Sequence, residues 1–383
     1  MNRREFIWMG AGSAALAVAG CATTTSEDAA SQGLSLTSPS LNAAAAGQKA
    51  KRGRLLGPTI VDFEFRECKR FKGKGKKCSF FIDDVIWIFR DLAAMKPKSC
   101  WDHRFLGHLK EAHEKYGLKV QLNVFYRNDF YYTTDEFCLK DMPDVWKAEF
   151  QAAKDWLKFG FHSLQEFPDY PFINAEYKDV KYVWDRTITE VERFAGPGMF
   201  ALAVVPHWGP VSKDGLRALK DCGAKVVWVS TGDRYEYTGD YSCLPYGHAM
   251  RVENNRKPET ALYSRGGPNV AIDSSACGYN HLLKEQAEPT RSTYVTCFDR
   301  DVGINLKRLS SGAPCLNLWA LNKLREGFAP HLGEEYVIYA THEEYYYKDY
   351  FSYQSDYCEK TFLAAKIMHD AGFEHIFIEE SVD

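Results

Sequence analysis

Between residues 79 and 230 the chain switches back and forth between two hydrophobic periods. Short runs rich in aromatic and β-branched residues, the first being Ser79-Phe80-Phe81-Ile82, alternate with stretches in which apolar residues recur every three or four positions. His103 to Tyr116 sets Phe105, Leu106, Leu109, Ala112, His113 and Tyr116 on one helical face; Gly117 closes it, and Leu118 to Phe125 alternates as a strand does. A second helix is expected from Met142-Pro143-Asp144 through Trp146, Phe150, Ala153 and Leu157, followed by the strand Phe159-Gly160-Phe161. A third, Val180 to Phe194, leads to the strand Met199 to Val205, and a fourth, Ser212 to Asp221 with Ser212 as N-cap, leads to Lys225 to Ser230. Strands separated by helices pair in parallel, so the pattern predicts an α/β fold around a parallel sheet, closed or open.

That architecture says where to look for chemistry, because the C-terminal strand ends gather at one face. The first strand ends in Asp83-Asp84, the third in His162, and the fourth in Pro206-His207-Trp208-Gly209. From Thr231 to Leu332 the pattern weakens, with turn residues such as Gly266-Gly267-Pro268, which reads as an insertion at about 231–333. It returns at Tyr336 to Ala340, which ends in Thr341-His342-Glu343-Glu344; a helix from Tyr357 to Ala371 and a last strand, His375 to Ile378, follow. Adjacent carboxylates at the exit of a buried strand are costly unless a cation or protons offset them. Asp83-Asp84 is therefore a candidate metal or general-base site, the alternative being solvated acids at a loop start. His113 shares its helix face with apolar residues and reads as a core-edge histidine.

The N-terminus carries a different message. Arg3-Arg4 precede an uncharged run from Ile7 to Gly20, too short to span a bilayer, and then Cys21. This looks like a twin-arginine export signal, and Val18-Ala19-Gly20-Cys21 resembles a lipobox that leaves Cys21 lipidated, so the protein is expected in the cell envelope, bound to the membrane through a lipid anchor only. Residues 22–54 are a low-complexity tether poor in large apolar groups, and 55–383 suffice for one large domain. Net charge is −3 with acids and bases mixed, which gives no footprint for nucleic acid. The basic cluster Lys69 to Lys77 is the exception, read as a solvated loop or as a contact for an anionic glycan. The chain has 11 cysteines and no CxxC pair, which argues against a cysteine metal site; Cys68 and Cys78 flank the basic loop and are candidates for pairing.

In this order the strand-end motifs resemble the polysaccharide deacetylase family, whose fold is an irregular (β/α) barrel. Phe81-Ile82-Asp83-Asp84 is similar to its first motif, in which the first aspartate is the catalytic base and the second a metal ligand. His162-Ser163-Leu164-Gln165-Glu166 is similar to the His-Ser/Thr-x-x-His motif, with Glu166 in place of the second histidine. Val205-Pro206-His207-Trp208-Gly209 looks like the third motif without its arginine, and Ile338 to His342 like the last, which ends in a general-acid histidine. The resemblance implies a divalent metal ion, zinc or another first-row metal, on Asp84 and His162 with Glu166 or His207 as third ligand. It also implies Asp83 as base, His342 as acid, and an acylated carbohydrate as substrate. For His207, ligation stands beside a supporting or sugar-contacting role.

Aromatic residues near these loops, Trp87, Trp101, Tyr131, Tyr132, Trp208 and Tyr345-Tyr346-Tyr347, either stack on sugar rings or cover the open end of the sheet; Trp208 is the best placed for a sugar. Three functions follow. The first is a metal-dependent hydrolase that removes an acyl group from a glycan. The second is a carbohydrate-binding protein that kept the cleft and lost turnover. The third is a glycoside hydrolase using Asp83 with Glu343 or Glu344.

Overall fold

The computed structural model describes residues 69–70, 73–128, 136–166, 171–172, 175–207, 209, 211, 213–229, 295–299, 302–308, 314–350 and 353–382. The expected export signal, Cys21, the tether, Cys68, Tyr131, Tyr132, Trp208 and Ser212 lie outside these residues.

In chain order the strands are β1 (Lys69–Arg70), β2 (Lys76–Val85), β3 (Val120–Phe125), β4 (Leu157–Ser163), β5 (Ala203–Val204), β6 (Val226–Val229), β7 (Val295–Asp299), β8 (Ile304–Arg308), β9 (Tyr336–His342) and β10 (Phe373–His375). The helices are α1 (Trp87–Met95), α2 (Arg104–Tyr116), α3 (Lys147–Ala152), α4 (Tyr177–Ala195), α5 (Lys213–Asp221), α6 (Leu324–Phe328) and α7 (Tyr357–Asp370). The fold is mixed α/β with parallel pairing, as the alternation predicts.

β2 is the hub. It pairs in parallel with β9 along one edge, and along the other first with β10 and then with β3. β3 continues to β4, a parallel bridge joins Phe159 of β4 to Phe200, and β5, β6 and β8 extend the parallel pairing. β7 runs antiparallel to β8 and to β1. The stretch expected as an insertion therefore supplies a strand, β8, to the parallel array.

Side chains on opposite faces of β2 enter two different cores, as a strand buried on both faces requires. Phe80 stacks on Tyr339 with ring centroids 4.6 Å apart and faces the helices, whereas Phe81 meets Trp228 edge-on at 5.5 Å in a smaller cluster with Val205, Val226 and Ile338. Helices α1, α3 and α4 pack on β4 through Phe89, Phe150, Phe159 and Phe194, whose rings lie 5.2 to 6.1 Å apart. Among the described residues no helix is long and apolar enough to cross a membrane.

The structure corrects several boundaries. The helix expected from Met142 to Leu157 shrinks to the six residues of α3, and Leu157 opens β4, because the chain has to turn back into the sheet there. α1 was hidden in the sequence by its apolar start, Trp87-Ile88-Phe89, which belongs to the core. The last strand is Phe373–His375, and Ile378–Ser381 is a 3₁₀ turn. In β3 the polar positions Gln121 and Asn123 are as buried as their apolar neighbours, so the alternation marks two buried faces rather than a wet one.

Of the basic cluster, Lys76 gives its ammonium to the Leu332 carbonyl at 2.7 Å and Lys77 pairs with Glu374, at the start of β2 and away from the strand ends that carry Asp84 and His162.

Candidate metal centre

In a regular strand two successive side chains point to opposite faces, so Asp83 and Asp84 share a site only if the backbone departs from the pleat. It does: the β2–β3 register shifts between Ile82 and Val85, and Asp84 sits at φ 63, a left-handed conformation that costs a residue with a Cβ about 1 kcal/mol or more. The kink brings Asp84 Oδ1 to 2.9 Å from His162 Nε2 and 3.1 Å from His207 Nδ1, and those two nitrogens are themselves 3.1 Å apart.

Both rings are held from behind. His162 Nδ1–H donates to the Val205 carbonyl at 2.6 Å and His207 Nε2–H to the Glu166 carbonyl at 2.9 Å. With those protons committed, the nitrogens that face Asp84 carry lone pairs in the neutral rings. The His207 amide also donates to the His162 carbonyl at 3.1 Å, and the Phe125 ring walls off both imidazoles at 5.2 and 5.0 Å between centroids.

Three lone-pair atoms pressed together in a buried site repel unless a cation or a proton lies among them. Their separations approach the roughly 3.3 Å that ligands about 2.0–2.1 Å from a tetrahedral zinc would show. Two imidazoles and a carboxylate are also a donor set suited to zinc and its first-row neighbours. Second-sphere carbonyls fixing each histidine's tautomer are what such ligands ordinarily have. The residues therefore fit a divalent ion, and Asp84, His162 and His207 are the one such group among the described residues.

Without an ion, a proton between rings and carboxylate relieves the repulsion instead, and the electrostatics describe that state. Burial by itself would raise the Asp84 carboxyl, but hydrogen bonds from His162 and His207, with their charges, hold it well below the ordinary carboxylate range. Burial by itself would lower His162, yet Asp83 and Asp84 outweigh it and raise this histidine.

Asp83 lies beside the triad, its Oδ1 3.8 Å from His162 Nδ1, and in the β2–β9 register it is the direct neighbour of His342. Burial raises its carboxyl, against the lowering charges of His162 and His342. A buried carboxylate made more basic than usual is what a general base needs. On the other side, His342 Nδ1 meets Asn317 Oδ1 at 3.1 Å, and the Cys315 thiol donates to the same oxygen at 2.8 Å. Asn317 thus orients His342.

Glu166 is placed differently from the expected ligand. Its carbonyl holds His207, and its carboxylate stands 3.9 Å from His207 Nε2, on the ring edge turned away from Asp84. The third donor atom of the triad is His207 Nδ1, from the residue for which several roles stood open. Glu343 caps a helix: its carboxylate accepts from the amides of Ile86, Trp87 and Ile88 at 2.7, 2.8 and 2.8 Å, at the start of α1. That leaves it unsuited to flank a glycosidic bond. Glu344 is buried, and burial, followed by the charges of Asp84 and Glu166, pushes its carboxyl well above the ordinary range. Trp87 and Tyr345 are buried, with Trp87 edge-on to Tyr347 at 4.9 Å, so they cover the core.

Asn317, Asn123 and the carbonyls of Val205 and Glu166 went unread in the sequence. Backbone acceptors leave no sequence signal, but the amides in β3 sat in plain view as the polar half of an alternating strand.

No known protein family matches the chain, and no curated protein matches it. Among solved structures it is similar to the 4-alpha-glucanotransferase of Thermococcus litoralis, with TM-score 0.40, 10% identity, and coverage of 81% of this chain but only 40% of that one. It is also similar to a putative polysaccharide deacetylase from Mycobacterium smegmatis, with TM-score 0.39, 10% identity and coverage of 82% and 93%. A third is the Xyl-CE4 domain of a multidomain xylanase from the hindgut metagenome of Trinervitermes trinervoides, with TM-score 0.31, 7% identity and coverage of 80% and 90%. These are distant likenesses, and the chemistry of the site has to be read from its own atoms.

Proposed function

We propose that this chain is a divalent-metal-dependent hydrolase that removes an acyl group from a carbohydrate, built on an irregular (β/α) barrel of the polysaccharide deacetylase type. One observation supports this above the others: Asp84 Oδ1, His162 Nε2 and His207 Nδ1 converge within 2.9 to 3.1 Å with both imidazoles locked by carbonyls, beside an acid and a base on neighbouring strands.

When bound, the ion supplies Lewis-acid stabilisation of charge on the acyl oxygen and makes water easier to deprotonate. The protein's own groups do the rest. Asp83 accepts the proton of the attacking water as its oxygen bonds to the acyl carbon. As the bond from that carbon to the sugar nitrogen or oxygen breaks, His342, its Nδ1–H held by Asn317, delivers a proton from Nε2 to the leaving atom. The products are a free carboxylate and a deacylated sugar. Phe125 and the surrounding apolar side chains keep bulk water from the histidines, which strengthens every electrostatic contact inside.

The same reading takes residues 1–21 as an export signal ending at a lipidated Cys21, 22–54 as a tether and 55–383 as the catalytic domain at the cell envelope, with Trp208 beside His207 as a sugar platform. The test is metal content by elemental analysis and Zn²⁺ affinity by calorimetry for the parent and for Asp84→Ala, His162→Ala and His207→Ala, followed by acetate release from N- and O-acetylated oligosaccharides. Near-stoichiometric metal in the parent, lost in each variant, with acetate release by the parent alone, is the expected outcome. A parent that takes up no metal overturns the mechanism.

A further inference from the structure

Asp83 takes its orientation from the neighbouring strand β3. Its Oδ1 accepts from Asn123 Nδ2 at 2.6 Å. Asn123 Oδ1 in turn accepts from Gln121 Nε2 at 2.7 Å, and Gln121 Nε2 also donates to the Ala203 carbonyl at 2.9 Å. Both amides are buried in β3, at 0% and 1% exposure, so water does not compete for these contacts.

The direction of this chain of bonds is fixed from one end. A backbone carbonyl only accepts, so Gln121 must turn its NH₂ toward Ala203. The same NH₂ has a second hydrogen for Asn123, which must then present its oxygen to Gln121 and its NH₂ to Asp83. Reversing Asn123 would set an oxygen against the carboxylate and an NH₂ against an NH₂. The arrangement leaves Gln121 Oε1 buried without a partner among the described residues, a cost that a purely structural pair would have reason to avoid. Room for it is reserved in the next strand. Asn123 pairs with Gly160 in the β3–β4 register, and a Cβ at position 160 would collide with both Asn123 Oδ1 and Gln121 Nε2. A glycine in the middle of a strand weakens it, and here the missing side chain is the space the two amides fill.

We propose that Gln121 and Asn123, seated against Gly160, form an amide relay of neutral donors that runs from the Ala203 carbonyl and positions Asp83 as the base. It rests on Asp83 having the role proposed above. The relay occupies one lone pair of Oδ1 and fixes the plane of the carboxylate, leaving Oδ2 for the substrate water. Gln121, Asn123 and Gly160 are positioning residues, since none of them has to touch substrate.

The test compares the parent with Asn123→Leu, Gly160→Ala, Asp83→Asn, and each of the first two combined with Asp83→Asn. Folding is checked by circular dichroism, Zn²⁺ affinity by calorimetry, and kcat and KM by acetate release from N-acetylglucosamine oligomers and acetylated xylo-oligomers. Asn123→Leu should lower kcat on the order of 100-fold while KM and Zn²⁺ affinity stay at the parent's values, as expected for a misplaced catalytic group. Gly160→Ala should shift kcat in the same direction. Neither should cost anything further in the Asp83→Asn background, because a residue that acts through Asp83 has nothing left to act on. An undiminished kcat in Asn123→Leu, or an equal loss with and without Asp83, overturns the relay.

A readout independent of turnover separates this result from failure of the hydrolase reading. By NMR the side-chain amide protons of Asn123 should shift in Asp83→Asn. If the parent releases no acetate and that shift is present, the hydrolase reading falls, and with it the positioning role, while the Asn123–Asp83 contact stands; if the amide protons do not move, the relay itself falls whatever the activity.

Discussion

Two buried carboxylates near the ends of β2 and β9 are treated in opposite ways. Glu343 is surrounded by donors, three backbone amides at the start of α1, and every contact it makes is complete without any ligand. Asp84 faces two histidines that, when neutral, turn lone-pair edges to it, their protons drawn off to carbonyls. Glu379, near the other end of the sheet, repeats the first pattern, taking the amides of Leu202 and Ala203 and the ammonium of Lys158. A buried acid matched to donors holds the fold together, and a buried acid matched to acceptors is arranged for something that is not part of the chain.

The largest effect that would break this contrast lies at Glu343. Glu343→Ala leaves three buried amides without an acceptor at about 1 kcal/mol or more each, so chemical denaturation should show a loss on the order of 3 kcal/mol or more, with or without metal. The triad should respond the other way round. Zn²⁺ at a hundred times its dissociation constant should stabilise the parent by about 2.7 kcal/mol, a gain that vanishes in Asp84→Ala; a stabilisation that persists there would place the ion elsewhere.

The same contrast extends to the histidines. Burial pushes His108 down to about 4 and His375 to about 3, so both are neutral in the fold. The unfolded chain protonates them near the ordinary 6.5 and so binds more protons as the pH falls. Their contribution is therefore complete above about pH 6.5 and is lost on descent toward 4 and 3. Between pH 7 and 5 the loss should be on the order of 1–2 kcal/mol per histidine, and denaturation curves of His108→Gln and His375→Gln should fall less steeply over that interval. The smallest effect is expected at Glu166. Glu166→Gln keeps the carbonyl that orients His207, so Zn²⁺ affinity should change by less than about 1 kcal/mol, and outright loss of binding would restore its carboxylate as a ligand.

The strand ends that gather titratable groups were legible because period-2 runs stop where carboxylates and imidazoles begin, at Asp83-Asp84, His162, His207 and His342. Which of them meet was less so. Spacing made Glu166 look like a ligand four residues after His162, but the loop turns its carbonyl to His207 instead. Gln121 and Asn123 read as the polar side of a half-wet strand, since a sequence does not say whether an alternating strand faces water or a second buried layer. α3 came out short for a similar reason: apolar spacing continues from Phe150 into β4, and only packing against Phe89 and Phe194 decides where the helix stops.

The left-handed backbone at Asp84 carries a consequence for the history of such a chain. Glycine adopts that conformation without penalty, so Asp84→Gly should relieve about 1 kcal/mol of backbone strain and remove the acid from among the acceptors at the same stroke. Under selection for folding alone, drift would run downhill toward glycine at this position. The turn by itself therefore gives no reason for an aspartate at position 84.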